Sequence, residues 1–506
     1  MPEESIESIS LKEPLWATIL PAPRLAIYCG LGALLWLGAA LTGMLLTAAI
    51  LYDIVLLFVA VVDILLSPQP GQLELEREIP HKLNIGVNHD VRLRARNNSS
   101  HRVTLTVRDE PPVSWEVDAH WRTPLERADA ATEGGSAENP PDTASREIAR
   151  VPLTVNPGRS GWVIYSVVPT RRGDFEFGAL SARYHTILGL WQRQCRVPAA
   201  VKVLVYPDNT LVRRYELRLR QGRLRDIGLH LIRLRGRGTE FESLREYTTD
   251  DEYKDINWKA SARHGKLIST NYEIERDQTV MIALDCGRMM TAMAVTRDAA
   301  DAARKLQKEG DELASTIVPL SKLDCAINAS VLVAHVAASM GDSVGLLLFS
   351  DRVLHFVPPR KGRLQTGTII EALYNVQPSL VEPDYMAAYE YLLTRRVRRS
   401  LVITFTDLID AACSRELLSA SGALRRHHNS LCVTINNKDV MEMARLVPEE
   451  SLEMYEKAMA QRMLAQRDQA LEELRRRAVG ILDVPAEQLT IATVNRYLDL
   501  KSRAAF

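Results

Sequence analysis

From Leu25 to Leu66 the chain is almost continuously apolar over about 42 residues, interrupted only by small residues, Asp53 and Asp63. One straight helix of that length would extend about 60 Å, twice the hydrocarbon thickness of a bilayer. Two crossings fit instead. Pro21 and Pro23 precede the first, Thr42-Gly43 offers the turn chemistry, and the second runs from about Met44 to Val62. A secretory signal peptide would have a much shorter apolar run and an early small-residue cleavage site, which this stretch lacks. Lys12 and Arg24 precede the pair, Arg77 and Lys82 follow it, and the turn between carries no cation. By the positive-inside rule both flanks face the cytoplasm, which predicts a multi-pass protein of the plasma (bacterial inner) membrane with its soluble domains cytoplasmic. Asp53 falls near the middle of the second crossing, where a charge is costly. It reads either as a functional acid or as one paired or protonated at a helix interface, within a homo-oligomer.

The length of 506 residues allows about three units, and the pattern divides them. Residues 1–24 read as a cytoplasmic tail and 25–66 as the two crossings. Residues 70–210 change to a period of two, as in Val91 to Arg96 and Val103 to Val107, with further strand-like pieces at Ala149 to Val155, Ser160 to Pro169 and Val201 to Tyr206. That alternation predicts a small β-sandwich. Asp129 to Ser145 reads as a polar loop within it. Residues 211–277 form a connector, and nine arginines against two acids lie between Arg213 and Arg237. This stripe suits either pairing with nearby acids or contact with anionic lipid. Aromatic side chains that could stack on bases are nearly absent there, and the whole chain balances 63 basic against 63 acidic residues, so nucleic acid is not an expected partner. Six scattered cysteines, Cys29, Cys195, Cys286, Cys325, Cys413 and Cys432, show no CxxC spacing and suit reduced thiols.

From residue 278 to 506, short apolar runs alternate with helical segments. The runs are Thr279 to Asp285, Ser343 to Phe349, Ser400 to Thr406, Ser430 to Ile435 and Val479 to Val484; the helices are Leu323 to Met340, Gly367 to Tyr374, Tyr385 to Leu393, Ser414 to His427 and about Pro448 to Arg477. Such alternation predicts an α/β domain with a parallel sheet wrapped by helices, and ligands in such folds sit beyond the carboxyl ends of the strands. Asp285 and Asp407 stand there. Just before this domain, Glu246, Tyr247, Asp250, Asp251, Glu252 and Asp255 are followed by Trp258, Lys259, Arg263, His264 and Lys266, so opposite charges flank an indole. Catalysis from Asp250, Asp251, His264 and Asp407 is less expected than surface pairing. The chain carries no GxxxxGK[ST], GxSxG or HExxH.

The stretch from Glu240-Phe241 through Glu275-Arg276-Asp277 closely resembles the signature of the DUF58 family. Further similarity runs through Lys322-Leu323-Asp324, Ile327-Asn328-Ala329, Gly341 to Gly345 and Asn495 to Leu498. That resemblance implies a von Willebrand factor A-like (vWA-like, Rossmann-like) domain, a fold that often binds Mg²⁺ through a DxSxS loop, a threonine and a later aspartate. Here the loop reads Asp285-Cys286-Gly287-Arg288-Met289, so both serine oxygens are missing, and Pro383-Asp384-Tyr385 occupies the threonine's expected place. Asp285, Asp384 and Asp407 then form either an all-carboxylate metal site or a metal-free cluster neutralised by arginines such as Arg288. The resemblance further implies a non-enzymatic adaptor that associates with a MoxR-type AAA+ ATPase. On that reading the three aspartates form an acidic docking centre. Glu246, Tyr247, Asp250, Asp255, Trp258, Lys259 and Arg263 rim it, with Trp258 as anchor. No cofactor is expected. A metal-dependent hydrolase and an anionic-lipid or nucleic-acid-binding membrane protein are the alternatives.

Overall fold

The computed structural model describes residues 17–42, 46–122, 149–220, 240–248, 253, 256–273, 278–295, 318–395, 397–408, 411–436, 438–448, 451–477 and 479–502. Asp250, Asp251, Asp255, the loop 129–145 and most of the arginine stripe lie outside them. Contacts divide the chain into two units, Met1–Val205 and Tyr206–Phe506.

In the first unit a strand, β1 (Ala17–Pro21), leads into two apolar helices, α1 (Pro23–Thr42) and α2 (Leu46–Leu66). Both are long and apolar enough to cross a membrane. They touch through polar atoms inside the apolar run: the Trp36 indole donates to Asp53 (2.7 Å), and the Tyr52 hydroxyl donates to the Tyr28 carbonyl (2.9 Å). Gly32 permits this approach, since a Cβ there would lie 3.1 Å from the Tyr52 ring and 3.2 Å from the Asp53 carboxylate. The remaining flanks carry outward-facing Leu57, Phe58 and Leu65.

The unit continues with β2 (Leu73–Glu78), β3 (Lys82–Asn84), β4 (His89–Asn97), β5 (Val103–Asp109), β6 (Glu116–Arg122), β7 (Ala149–Val155) and β8 (Ser160–Val168). It closes with β9 (Gly173–Phe177), β10 (Leu180–His185), β11 (Trp191–Val197) and β12 (Val201–Tyr206). They form sheets ordered β1-β11-β10-β5-β7, β2-β4-β8-β6 and β3-β12-β9. β2, β4 and β5 bury every second side chain, as a strand with one solvated face must. β1 comes from the segment expected to be tail, where Ala17 to Pro21 register against Cys195 to Trp191. Arg77, read above as a flanking cation, points instead into the interior. It reaches Asp109 on β5 from β2, donates to the Ala199 and Gly178 carbonyls, and Tyr165 on β8 donates to the same carboxylate (2.6 Å). Its charge is therefore neutralised within the β domain rather than presented to a membrane surface.

The second unit contains α3 (Thr210–Arg220), β13 (Glu240–Glu246), α4 (Trp258–His264), β14 (Ile268–Glu273), β15 (Thr279–Asp285), β16 (Met293–Val295), β17 (Leu320–Ser321) and α5 (Lys322–Ser339). It continues with β18 (Ser343–Phe349), β19 (Val353–Arg360), α6 (Arg363–Leu373), α7 (Tyr385–Thr394), β20 (Leu401–Thr406) and α8 (Ala411–Leu424). The last elements are β21 (Asn429–Asn436), α9 (Lys438–Arg445), α10 (Ser451–Arg476), β22 (Gly480–Pro485) and α11 (Ala486–Ser502). Its principal sheet is ordered β19-β18-β15-β20-β21-β22, parallel except for β19. The central strands are buried on both faces and accordingly read as unbroken apolar runs. One face packs Val280, Ile282, Leu346 and Ile403 under α5 and α11; the other packs Met281, Ala283, Leu347 and Val402 under α7 and α8. Cys195, Cys286, Cys325 and Cys432 are buried free thiols, and Cys29 is exposed.

Candidate functional site

Two adjacent strands, β15 and β20, deliver acids to the carboxyl end of the principal sheet, the position at which α/β sheets bind ligands. Asp285 ends β15. Its Oδ1 accepts the Gly287 amide (2.7 Å), and its Oδ2 accepts the hydroxyls of Thr406 (2.7 Å) and Tyr385 (3.3 Å). Gly287 is needed for close approach: a Cβ there would come within 2.8 Å of the Val381 carbonyl and 3.0 Å of Asp285. Asp407, just beyond β20, accepts Lys322 Nζ at 2.5 Å, Arg467 Nη1 at 2.6 Å and the Leu408 amide at 2.8 Å. Arg467 also donates through Nη2 to Asp483 (2.8 Å) and to the Ile435 carbonyl (3.1 Å). Arg467 thereby ties α10 across the ends of β20, β21 and β22.

Both acids are completely buried. Burial pushes the Asp285 carboxyl up to about 6, against the opposing pull of its three hydrogen bonds. For Asp407 burial acts the same way, but Lys322 and Arg467 outweigh it and hold the carboxyl below the usual carboxylate range. The two carboxylates thus differ in kind, one held only by neutral donors and the other by two cations. A hard divalent ion would need about six oxygen donors, commonly including water. This set does not fit that requirement, because every carboxylate oxygen is engaged by a protein donor and an ammonium and a guanidinium press on Asp407. Among the described residues no three His, Cys, Asp or Glu side chains are placed to hold a metal together.

Asp384 stands apart from the other two acids as the N-cap of α7, accepting the Ala387 amide (2.8 Å). The expected acidic docking centre is therefore not a surface feature, since Asp285 and Asp407 are interior and only Asp384 is part-exposed. Arg288 pairs with Glu382 (2.6 Å) on the exterior, so the neutralising role expected of it belongs to Lys322 and Arg467.

In the signature, Asn257 caps α4 by accepting the Ala260 amide, and Gly265 ends the helix at φ +66°. Ser261 accepts the Ile268 amide, and buried Ile256 bridges to Ser269. These residues build the turn and leave Trp258 outside it, 55% exposed and edge-on to Tyr253, itself 71% exposed. Lys259 and Arg263 are exposed on α4. Glu246 is exposed and pairs with Lys266 (2.8 Å), while Tyr247 is half-buried with its amide on the Leu267 carbonyl.

Lys322 carried a signal that the sequence reading left unused. It opens α5 immediately after the N-cap Ser321, inside the Ser321–Asp324 capping box, at a helix start where the dipole favours acids, so a lysine there calls for a specific partner. Arg467 had no such signal among the exposed arginines of α10. A further missed feature is the α9–α10 hairpin, where Leu446, Val447, Leu452, Met454, Tyr455 and Met459 are all exposed.

One prediction arises from the raised carboxyl. A folded-state value of about 6 against an ordinary 3.8 means that protonation of Asp285 stabilises the fold below about pH 4, and that this contribution is lost as pH rises through 6. Asp285→Asn mimics the protonated form. It should be neutral near pH 4 and stabilising by up to about 3 kcal/mol at pH 8. Urea unfolding of the full-length protein in detergent across that range checks it, and a gain at pH 4 equal to that at pH 8 would refute it.

The family model described as "Protein of unknown function DUF58" matches residues 243–306 and 310–471. No curated protein matches the chain. Among solved structures, the conserved hypothetical protein BatB from Bacteroides thetaiotaomicron is similar at 14% identity, covering 44% of this chain and 98% of that one, with a TM-score of 0.26. WR4, an MSP family member from C. elegans, is similar at 10% identity, covering 26% of this chain and 97% of that one, with a TM-score of 0.15. The bacterial hydrophobin BslA gives 12% identity, 28% of this chain, 100% of that one, TM-score 0.19.

Proposed function

We propose, from the match of the DUF58 family model to residues 243–306 and 310–471, that the protein is a membrane-anchored, non-enzymatic adaptor with a vWA-like domain that docks another protein. The observation that carries this reading is the state of Asp407. A carboxylate whose two oxygens are both engaged, by Lys322, Arg467 and a backbone amide, and which two cations press upon, is ill suited to activate water or to hold a catalytic ion. What the C-terminal unit does turn outward is apolar and aromatic: Trp258 with Tyr253, and the methionine-bearing hairpin that Arg467 ties to the carboxyl end of the sheet. Exposed aromatic and methionine side chains of this kind suit protein docking. The anchor is the helix pair α1–α2, placed as a hairpin across the inner membrane with the β domain and the C-terminal unit on the cytoplasmic side. A MoxR-type AAA+ ATPase is the proposed partner.

Because Asp285 and Asp407 are interior, replacing them reports on folding, so the docking test uses exposed positions. The full-length protein in nanodiscs should capture the purified ATPase. Trp258→Ala should weaken capture by roughly 30-fold, the effect of losing an anchor of about 2 kcal/mol, and Met454→Asp with Tyr455→Ala should weaken it comparably. Capture unchanged in both variants would remove this surface from the reading. Calorimetric titration of the wild-type protein with Mg²⁺ tests the rival hydrolase: stoichiometric binding would revive it.

A further inference from the structure

Asp63 interrupts the apolar run of α2 one turn before its end, yet the side chain is buried rather than lipid-facing. Its carboxylate accepts the Thr186 hydroxyl (2.6 Å), the Leu188 amide (2.9 Å) and the Leu190 amide (3.3 Å), all from the turn that joins β10 to β11. The staple extends on both sides. Trp191 Nε1 donates to the Ala60 carbonyl (3.0 Å), Arg193 to the Ile64 carbonyl (2.7 Å), and Ala22, just before α1, donates to the Leu190 carbonyl (2.9 Å). Leu25, Ala60 and Leu190 pack together beneath. The turn is thus held against the last turns of α2 and the first turn of α1.

Its backbone is closed to an unusual degree. Thr186 N donates to the Trp191 carbonyl, Ile187 N to Ser67 Oγ, Leu188 N and Leu190 N to Asp63, Gly189 N to the Thr186 carbonyl, and Trp191 N to Thr186 Oγ1. Six consecutive amides are satisfied within the protein. A tip in water has no need of this, whereas backbone in a bilayer must satisfy its polar groups internally. The side chains that the turn itself presents are apolar, Ile187 46% and Leu188 49% exposed, as Ile19 and Leu20 on β1 are, while Arg24 at the start of α1 donates to the Leu188 carbonyl (3.4 Å), as a cation at a membrane boundary can. Leu65 and Leu66 at the end of α2 are outward-facing as well.

The level follows from geometry. A 21-residue helix is about 31 Å long, close to the hydrocarbon thickness, so Asp63 lies about 5 Å inside the end of that length. We propose that the turn Thr186–Trp191 is itself immersed in the bilayer, with Ile187 and Leu188 at the boundary of the acyl region and the Trp191 indole reaching deeper, to its bond with the Ala60 carbonyl. The proposal rests on the membrane-spanning reading of α1 and α2. It makes the β domain a body fixed to the membrane at three points, with its tilt set by Asp63.

Depth-dependent quenching tests it. In a Cys29→Ser, Cys413→Ser background, single cysteines at Ile187, Leu57 and Glu176 would be labelled with the fluorophore NBD in full-length protein reconstituted in vesicles containing phosphatidylglycerol. Glu176 is exposed on β9, beside the Gly178 amide that meets the Glu110 carbonyl beyond the far end of β5. The Ile187 label should be quenched several-fold more by lipid carrying a nitroxide near the headgroup than the Glu176 label, and shielded from aqueous iodide. A Leu57 label quenched by a mid-chain nitroxide, together with an Ile187 label that behaves like Glu176, would overturn the immersed turn and leave the anchor standing. A Leu57 label open to iodide would overturn the membrane reading and this proposal with it.

Discussion

Replacing Lys322 with alanine is expected to destabilise the C-terminal unit by about 3–5 kcal/mol, because it withdraws one of two cations from a carboxylate that has no access to water. Asp407 is fully buried and the Lys322 side chain is 2% exposed, so neither can be rescued by solvent. The two are 85 residues apart, and the contact joins the start of α5 to the end of β20. Loss of the ammonium leaves Arg467 as the cation on Asp407, shared with Asp483. The Asp407 carboxyl, held below its ordinary range by the two cations, should then rise. Sign matters here. A depressed carboxyl contributes stability that is present above its unfolded value and lost as pH falls through the folded one, so wild type should lose this contribution only in strong acid. The alanine variant should lose it at higher pH. The compensated variant Lys322→Met, Asp407→Asn should recover most of the loss, since a buried pair removed together leaves no lone charge. Urea unfolding of the full-length protein, with hydrogen exchange followed on peptides from β20 and α10, reads both effects. A loss under about 1 kcal/mol for the single variant would show that desolvation cancels the pair.

The second large effect is expected in the β domain. Arg77→Ala should cost about 3–5 kcal/mol by stranding Asp109, whose remaining partners are the Tyr165 hydroxyl and the Glu110 amide. The Ala199 and Gly178 carbonyls lose their donor as well, and the Phe177 ring loses the guanidinium stacked 4.8 Å above it. Here burial, reinforced by the Asp109 charge, keeps the Tyr165 hydroxyl protonated far above neutrality, so it remains a donor at any working pH. Arg77→Met with Asp109→Leu should restore stability that neither single change tolerates. Hydrogen exchange in β2, β5 and β8 is the measurement, and wild-type protection in Arg77→Ala would refute the prediction.

Periodicity made much of this architecture legible. The five apolar runs of the C-terminal half became β15, β18, β20, β21 and β22 within one or two residues, because a strand buried on both faces admits little but apolar side chains. The edge strand β19 escaped notice for an equally physical reason. It carries Pro358 and Pro359, which read as a loop and are tolerated where a strand has one unpaired side. β1 was mistaken for tail because its five residues acquire meaning only against β11, more than 170 positions later. The same distance hid the site. Asp285 and Asp407 could be placed at strand ends from local pattern, but Lys322 and Arg467 meet Asp407 across 85 and 60 residues, and no local rule links them. Asp63 looked like an interruption of a membrane run. Its partners on the β10–β11 turn are over 120 residues away.

The last helix bears on the order in which the molecule is made. α11 covers α5, placing Leu489, Val494 and Tyr497 against the helix that holds Leu323, Ile327 and Val336, and Lys501 closes on Asp342 at the far end of α5. That pair spans 159 residues. On a ribosome adding roughly 5–20 residues per second, the apolar face of α5 therefore waits on the order of 10–30 s for its cover. Over the same interval α1 and α2 are already available to the insertion machinery. On the membrane-anchored reading proposed above, the protein is thus attached before its largest unit can close, and the C-terminal half passes that interval with its core open, a period in which a chaperone has most to do.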